Sequence, residues 1–315
     1  MITWGSFLAL VFILLALDLG VFNKDPHRIS AKEALAWTAV WIVTSLLFCV
    51  AIYYGYEHHF QGLGLKSGLT GKTAAVEFLT AYIVEKALSL DNIFVMAVIF
   101  THMKIPDEHQ HRVLYWGILG ALVMRGAMIL GGLALIARFS WLTYVFGGVL
   151  LLSALKMLKG GGDDDPHVDD STIMRLSRKY LPITPALHGQ SFFIRVGQRL
   201  MVTPLFVTLL LIETTDLIFA LDSVPAVFSI TTDPFIVFTS NVLAILGLRS
   251  LYFALAAVIG KFEYLKQALV LVLLFVAMKM LGAEFFHVPP AISLVVILGL
   301  LSGGVVISWF KMRPS

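Results

Sequence analysis

The sequence predicts an all-α polytopic membrane protein with about nine transmembrane helices and an inverted repeat of three-helix units. Of its 315 residues, 58% are hydrophobic and only 14% are charged, whereas about a quarter of a soluble domain is charged. The mean hydropathy is +0.88. The net charge of +3 is too small to indicate a nucleic-acid partner, and the single cysteine, Cys49, excludes a disulfide within the chain.

Apolar runs of about 20 residues, the length that crosses a bilayer, define the predicted elements. We count nine of them, at 2–22, 32–54, 74–101, 112–136, 139–158, 201–228, 235–259, 265–283 and 289–310. The first run lacks the basic leading region and the cleavage site of a signal peptide, so we expect a retained helix.

The basic residues predict how these helices are oriented. If successive loops alternate between the two sides of the membrane, 15 of the 23 Lys and Arg residues fall on one side, three fall on the other, and five lie within spans. Loops rich in Lys and Arg stay in the cytoplasm. The N-terminus is therefore expected outside the cell, and the C-terminus in the cytoplasm.

Two triplets of spans share ordered landmarks. Arg125 and Lys156 follow the first acidic span, and Arg249 and Lys279 follow the second at nearly the same intervals. Because three crossings are an odd number, the second triplet must run opposite to the first. Inverted repeats of this kind are typical of secondary transporters, which bind substrate near the membrane midplane between the two copies.

The repeat divides the chain into five regions. They are an N-terminal pair of helices with an outer loop (1–72), the first repeat (73–158), a cytoplasmic loop (159–200), the second repeat (201–283) and a C-terminal helix (284–315). The cytoplasmic loop carries an acidic run at 163–170. We interpret it as a flexible, solvated linker, with a cation-collecting antenna as the alternative.

The acidic spans carry matching motifs, each an acid, four residues, then Leu-Asp and a small polar residue. An ionised carboxylate at the centre of a membrane helix costs roughly 2.5 to 3.5 kcal/mol on insertion scales, so such residues indicate a functional site. The candidate metal ligands are Glu85, Asp91, Asn92, Glu213, Asp216, Asp222 and Ser223. Ligation by oxygen alone suits Mn²⁺, Mg²⁺ or Ca²⁺ and argues against Zn²⁺ or Cu⁺.

Helical geometry separates these acids. Asp91 follows Glu85 by six residues, and Asp222 follows Asp216 by six, which is about 120° on a straight helix. The second acid of each motif joins the face of the first only if the helix breaks. Pro225 is a candidate cause of such a break in the second motif, whereas the first motif contains no proline.

Basic residues within the spans complete the predicted site. Lys86, Arg125 and Arg249 could each pair with an acid when no cation is bound, or with carbonyls at helix ends. Grouped carboxylates repel one another, which favours protonation of some of them in the absence of metal. Exchange of protons for a divalent ion is therefore chemically natural.

The two motifs, Glu85-Lys-x-Leu-x-x-Asp91-Asn92-x-Phe and Glu213-x-x-Asp216-x-x-Phe-Ala-x-Asp222-Ser-x-Pro-Ala, resemble those of the TerC family of bacterial membrane proteins. The segment that begins Thr232-Asp233-Pro234 is similar to its Alx-like branch. The resemblance covers about residues 2–310 and extends to the LysE-like exporter group.

The resemblance implies a non-enzymatic protein of the bacterial cytoplasmic (inner) membrane that exports Mn²⁺. It implies no permanently bound cofactor, with Mn²⁺ as the transported substrate, and contacts with lipid and with secretion-machinery partners. Two alternatives stay open: a membrane scaffold that supplies metal to secreted proteins, and an exporter of another divalent ion such as Ca²⁺. An intramembrane enzyme is disfavoured, because the spans contain neither His-Glu-x-x-His nor Gly-x-Gly-Asp.

Overall fold

The computed structural model describes residues 2–20, 30–139, 141–158, 181–184, 187–196, 199–256, 263–285 and 288–311. Within them the α-helices are α1 (Ile2–Gly20), α2 (Ala31–Glu57), α3 (Gly71–His102), α4 (Asp107–Arg138), α5 (Leu142–Leu158), α6 (Pro204–Phe228), α7 (Pro234–Leu246), α8 (Leu248–Ala256), α9 (Glu263–Leu281) and α10 (Pro290–Lys311). A 3₁₀ turn spans Phe60–Gly62, and strands β1 (Phe193–Val196) and β2 (Arg199–Val202) form an antiparallel hairpin.

The helices confirm the prediction of an all-α polytopic membrane protein. Four of them, α2, α4, α6 and α10, are long and apolar enough to cross a membrane, and the bent pair α7 and α8 would make a fifth span. Shorter apolar helices lie in α1, α5 and α9. Each of the nine predicted segments contains a helix, and the seventh contains two. The number of crossings and the inverted orientation of the repeat stay predictions.

Local sequence explains where several helices begin. Thr70 accepts a hydrogen bond from the backbone N–H of Thr73 at the start of α3, and Asp233 accepts from Phe235 and Ile236 at the start of α7. These side chains satisfy N–H groups that have no partner within the helix. Pro occupies the first position of α6 and α7, where its missing N–H costs nothing.

Helix α3 lies at the centre of the bundle. It contributes to all three buried apolar clusters, through Val84 in one, Phe78 in the second and Ile93 in the third. The two predicted repeats pack reciprocally, because α3 contacts α7 while α4 contacts α6. The centre of α3 therefore faces both halves of the protein.

The break predicted at Pro225 is absent. Helix α6 continues through Pro225 to Phe228, and α3 runs unbroken from Gly71 to His102. Pro225 lies in the last turn of α6, where disruption of the hydrogen-bond ladder affects only the helix end. The break lies instead at Gly247, between α7 and α8, whose axes differ by 41°.

The predicted cytoplasmic loop contains structure that the sequence did not indicate. The hairpin of β1 and β2 pairs Phe193 with Val202, and α6 begins at Pro204 rather than at 201. Residues 159–180, which include the acidic run, lie outside the described residues.

Candidate functional site

Two carboxylates from different halves of the sequence meet on one arginine at the centre of the bundle. Glu85 of α3 and Asp216 of α6 both form ion pairs with Arg125 of α4. Arg125 donates to Asp216 through Nε (3.1 Å) and Nη2 (2.8 Å), which makes a bidentate contact. Its Nη1 is paired with Glu85 Oε1. Each of the three residues lies near the middle of its helix.

These three charges are almost fully removed from solvent. Glu85 is 0% exposed, Arg125 2% and Asp216 3%. Pairing and hydrogen bonding offset the cost of burying a charge. Removing either partner therefore leaves an uncompensated buried charge and destabilises the protein. With both acids ionised, two negative charges face one positive charge. The cluster therefore attracts a further cation or a proton.

Neutral polar groups hold the two carboxylates in place. Asn92 Nδ2 donates to Asp216 Oδ1 (3.0 Å), so a side chain of α3 reaches the acid of α6. Asn241 Nδ2 of α7 donates to Glu85 Oε2 (3.0 Å). Arg125 Nη1 also lies 3.2 Å from the Ser223 hydroxyl. The cluster thus joins α3, α4, α6 and α7.

Lys86 lies at the break between α7 and α8, and it forms no ion pair with an acid among the residues that the structure describes. Its Nζ donates to the Ala244 carbonyl (2.8 Å), which lies in the last turn of α7. A Cβ at Gly247 would lie 2.8 Å from this ammonium and 3.0 Å from Trp41 Cβ. A glycine at the break therefore lets the lysine approach a carbonyl at the end of the helix. This matches the helix-end alternative expected from the sequence.

Glu213 lies one turn from Asp216, beside a small cavity. The cavity is lined by residues of α3, α4, α6 and α8, which are Met96, Leu114, Gly117, Ile118, Ala121, Ile212, Glu213, Asp216, Leu248 and Arg249. Glu213 precedes Asp216 by three residues, so the two carboxylates lie on the same face of α6. Its carboxylate occupies the position that a Cβ would take at Gly120, so only glycine fits there without moving Glu213. Both Glu213 and Asp216 thus reach one cavity.

Asp91 and Asp222 lie apart from the central pair, as expected for unbroken helices. Asp222 Oδ1 accepts a hydrogen bond from the Ser153 hydroxyl of α5 (2.8 Å) and is half-buried. Asp91 is half-buried on α3. Among the described residues, no group of three or more His, Cys, Asp or Glu side chains is placed to hold a metal ion. The five acids therefore do not converge at one point.

The matching arginines of the two predicted repeats have different neighbours. Arg125 bridges the central acids, whereas Arg249 Nη1 of α8 lies 2.7 Å from His111 Nε2 of α4. An arginine N–H can only donate, so this ring nitrogen accepts. Arg249 also lines the cavity beside Glu213. The site is therefore asymmetric, although the motifs match.

Sequence reasoning missed four contributors: Asn241, Gly120, Ser153 and Gly247. Asn241 is a buried amide within an apolar span, a signal comparable to that of Asn92. The two glycines give no such signal, because an apolar helix tolerates glycine without any site nearby.

Two buried acceptors, Asn241 Oδ1 and Glu213 Oε2, have no hydrogen-bond partner within the described part of the chain.

Comparisons with known proteins identify the family. Residues 70–315 match the model of the integral membrane protein TerC family. The chain is 47% identical over 311 residues to an uncharacterized membrane protein of Myxococcus xanthus, covering 98% of this chain and 92% of that one. It is 41% identical over 312 residues to the putative membrane-bound redox modulator Alx of Escherichia coli K12, covering 98% and 95%. No solved structure matches the chain significantly. The chain therefore belongs to the TerC family of integral membrane proteins.

Proposed function

We propose that the protein is a secondary transporter that exports Mn²⁺ from the cytoplasm through the central cluster, in exchange for protons. One observation carries the proposal: Glu85 and Asp216, from separate halves of the sequence, meet on Arg125 deep in an apolar bundle. Ionisable groups inside a membrane protein are expensive and mark ion pathways. Helix packing alone does not require two acids for one base.

The groups around the cluster suit a hard cation. The oxygens nearest the cluster are the carboxylates of Glu85 and Asp216, the amide oxygen of Asn241 and the carboxylate of Glu213 one turn from Asp216. The three carboxylates are not placed to share one ion in this structure, so metal binding in this proposal moves them closer together. Two of these groups, Glu213 and Asn241, carry buried oxygens with no hydrogen-bond partner among the described residues. Oxygen ligands favour Mn²⁺, Mg²⁺ or Ca²⁺ over softer metals. Mg²⁺ gives up its water reluctantly, so a dry site in this position favours Mn²⁺ or Ca²⁺.

In this proposal the cavity lies on the cytoplasmic side of the cluster. Its lining comes from the half of each helix that the charge distribution assigns to the cytoplasm, including Leu114 of α4 and Ile212 of α6. Glu213 and Asp216 lie where this cavity reaches the bundle centre. An ion that enters from the cytoplasm would meet Glu213 first and the central pair next.

Arg125 acts in this proposal as a tethered cation that holds the site closed when the substrate is absent. Its guanidinium neutralises part of the charge of Glu85 and Asp216, the role that the metal takes over on binding. Metal binding must therefore weaken at least one of the two ion pairs. Protons that reach the same carboxylates also compete with the metal, which links metal release to proton uptake.

The relatives add limited support. Several of them are described as putative membrane-bound redox modulators. This chain has one cysteine, Cys49, whose Sγ lies 3.4 Å from the Ala75 carbonyl. A dithiol switch within one chain is therefore excluded here. Transport of a metal that serves redox enzymes is compatible with that description.

The alternative is a scaffold that binds metal and transfers it to secreted proteins without moving it across the membrane. The pairing of Arg125 with both acids is compatible with the scaffold, because a cluster whose charges are paired can stay in one conformation. Binding is common to both hypotheses, whereas flux through purified protein belongs to the transporter alone. A Ca²⁺ exporter would show the same cluster with a different ion preference.

Mn²⁺ binding to the purified protein tests the role of the cluster. We expect Asp216→Asn to weaken binding by about tenfold or more, since it removes one ligand charge. We expect Arg125→Gln to strengthen it, because the competing guanidinium is gone. Asp107→Asn, an exposed carboxylate in the first turn of α4, is the control and should bind normally. Equal Mn²⁺ affinity in wild type, Asp216→Asn and Arg125→Gln would contradict the proposal.

A further inference from the structure

A second buried carboxylate lies on α3, closer to the helix start than Glu85. Glu77 is only 7% exposed, and its side chain lies beside that of Thr231. Its Oε2 is buried and has no hydrogen-bond partner within the described residues. This oxygen is an acceptor with an unfilled position in the interior of the protein. The central cluster does not use it.

Asp233 lies beside Glu77 and is held in a fixed orientation. Its Oδ1 accepts from the Tyr56 hydroxyl (2.7 Å) and from the N–H groups of Phe235 (3.0 Å) and Ile236 (3.2 Å). Within the described part of the chain, the hydrogen bonds to this carboxylate all end on Oδ1. There, Oδ2 remains open to another partner. Tyr56 is fully buried, so this orientation is fixed by the core.

Thr231 connects the two acids. Its hydroxyl accepts from the backbone N–H of Asp233 (3.2 Å) and lies beside the Glu77 carboxylate. The two carboxylates and this hydroxyl therefore form one all-oxygen group, and the Tyr56 hydroxyl is its fourth oxygen-bearing side chain. The group lies at the end of the bundle where α3 and α7 begin and α6 ends. The charge distribution assigns this end to the outside of the cell.

The charges of this group are not balanced. Lys279 of α9 acts on Glu77 electrostatically, but its ammonium donates to the Ser293 hydroxyl (3.1 Å). Two acids therefore face one lysine that is engaged elsewhere. The arrangement has the same charge ratio as the central cluster, two carboxylates to one base. It differs because its base does not bridge the acids.

We propose that Glu77, Asp233 and Thr231 form a second site for a divalent cation, at the outer end of the protein. Glu77 precedes Glu85 by eight residues, which places the two about 12 Å apart along α3. That separation allows two cations to occupy separate positions on one path. The identification of this ion as the exported one rests on the proposed transport function. The binding itself does not.

The test is the number of Mn²⁺ ions bound by the full-length protein in lipid nanodiscs, with Mn²⁺ alone as the probe. We expect wild type to bind two ions, Glu77→Gln one, Asp216→Asn one, and the double variant none. Glu57→Gln is the matched control, because Glu57 is an exposed acid at the same end of the bundle. A glutamine there can still accept from the Gly71 N–H (3.0 Å). This control should bind two ions.

Two further results separate this proposal from the central one. Thr231→Val keeps the shape of the side chain and removes the hydroxyl, so we expect one of the two ions to bind about tenfold more weakly. If Asp216→Asn binds like wild type while Glu77→Gln loses an ion, the central site fails and the outer site stands. Unchanged stoichiometry and affinity in both Glu77→Gln and Thr231→Val would overturn the outer site, as would a wild type that binds no Mn²⁺.

Discussion

Replacing Gly120 by alanine should impair metal handling without unfolding the protein. A Cβ at this position would overlap the carboxylate of Glu213, so that carboxylate must move by roughly 1 Å or more to reach an ordinary contact distance. The overlap involves the far end of a flexible side chain, which can swing away at low cost. Alanine also favours the helix by about 0.8 to 1.0 kcal/mol relative to glycine. Stability should therefore change little.

Two glycines of the same helix provide the controls. A Cβ at Gly131 meets nothing within 4 Å, so Gly131→Ala should stabilise the helix by the full difference in helix propensity and leave function normal. A Cβ at Gly132 would lie 2.7 Å and 2.9 Å from atoms of the Phe228 ring. This ring is packed in the core, so Gly132→Ala should destabilise by about 1 to 3 kcal/mol through overpacking.

The assay is the Mn²⁺ concentration that gives half-maximal uptake into proteoliposomes, with thermal denaturation measured in parallel. For Gly120→Ala we expect the Mn²⁺ concentration at half-maximal uptake to rise about tenfold, because the first carboxylate that the ion meets is displaced. We expect wild-type values for Gly131→Ala. If Gly120→Ala matches Gly131→Ala in both uptake and melting, the position of Glu213 does not matter and the reasoning fails.

Three other predictions follow from the break, the charge distribution and the carboxylates. Gly247→Ala should displace the Lys86 ammonium from the Ala244 carbonyl and lower the melting temperature. Gly299→Ala, whose Cβ meets nothing within 4 Å, should not lower it, and equal melting temperatures of the two variants would contradict this role of Gly247. Cysteines placed near the N-terminus should react with impermeant reagents added outside intact cells, and labelling only after cell lysis would refute the assigned orientation. Mn²⁺ entering vesicles should drive protons out, so a trapped dye should report a rising internal pH in wild type and no change in Asp216→Asn. Mn²⁺ uptake at clamped voltage without a pH change would rule out proton exchange.

The positions of the helices follow from the sequence because a bilayer imposes long apolar segments. The predicted span 32–54 lies within α2, and the predicted span 74–101 lies within α3. The break in the seventh span was not predicted, since Gly247 is one of 25 glycines. What distinguishes it is contact with Lys86 and Trp41, residues 161 and 206 positions away.

The site was predictable in composition but not in arrangement. Matching motifs identified Glu85, Asp216 and Arg125 as residues of interest, because ionisable groups are rare in apolar helices. Their partners depend on which helix faces overlap, and that depends on packing across the whole bundle. Pro225 does not break α6, because a proline in the last turn of a helix has few hydrogen bonds left to disrupt. The roles assigned to these residues stay predictions.

Mn²⁺ flux into vesicles that contain only this purified protein tests the central claim most directly. The account predicts saturable, protein-dependent uptake that Asp216→Asn abolishes and Asp107→Asn leaves intact. Both variants should reconstitute to the same level, which size-exclusion chromatography of the re-extracted protein can verify. Mn²⁺ binding without uptake by wild-type protein would contradict export and favour the scaffold. Uptake that is unchanged in Asp216→Asn would contradict the assignment of the central cluster as the transport site.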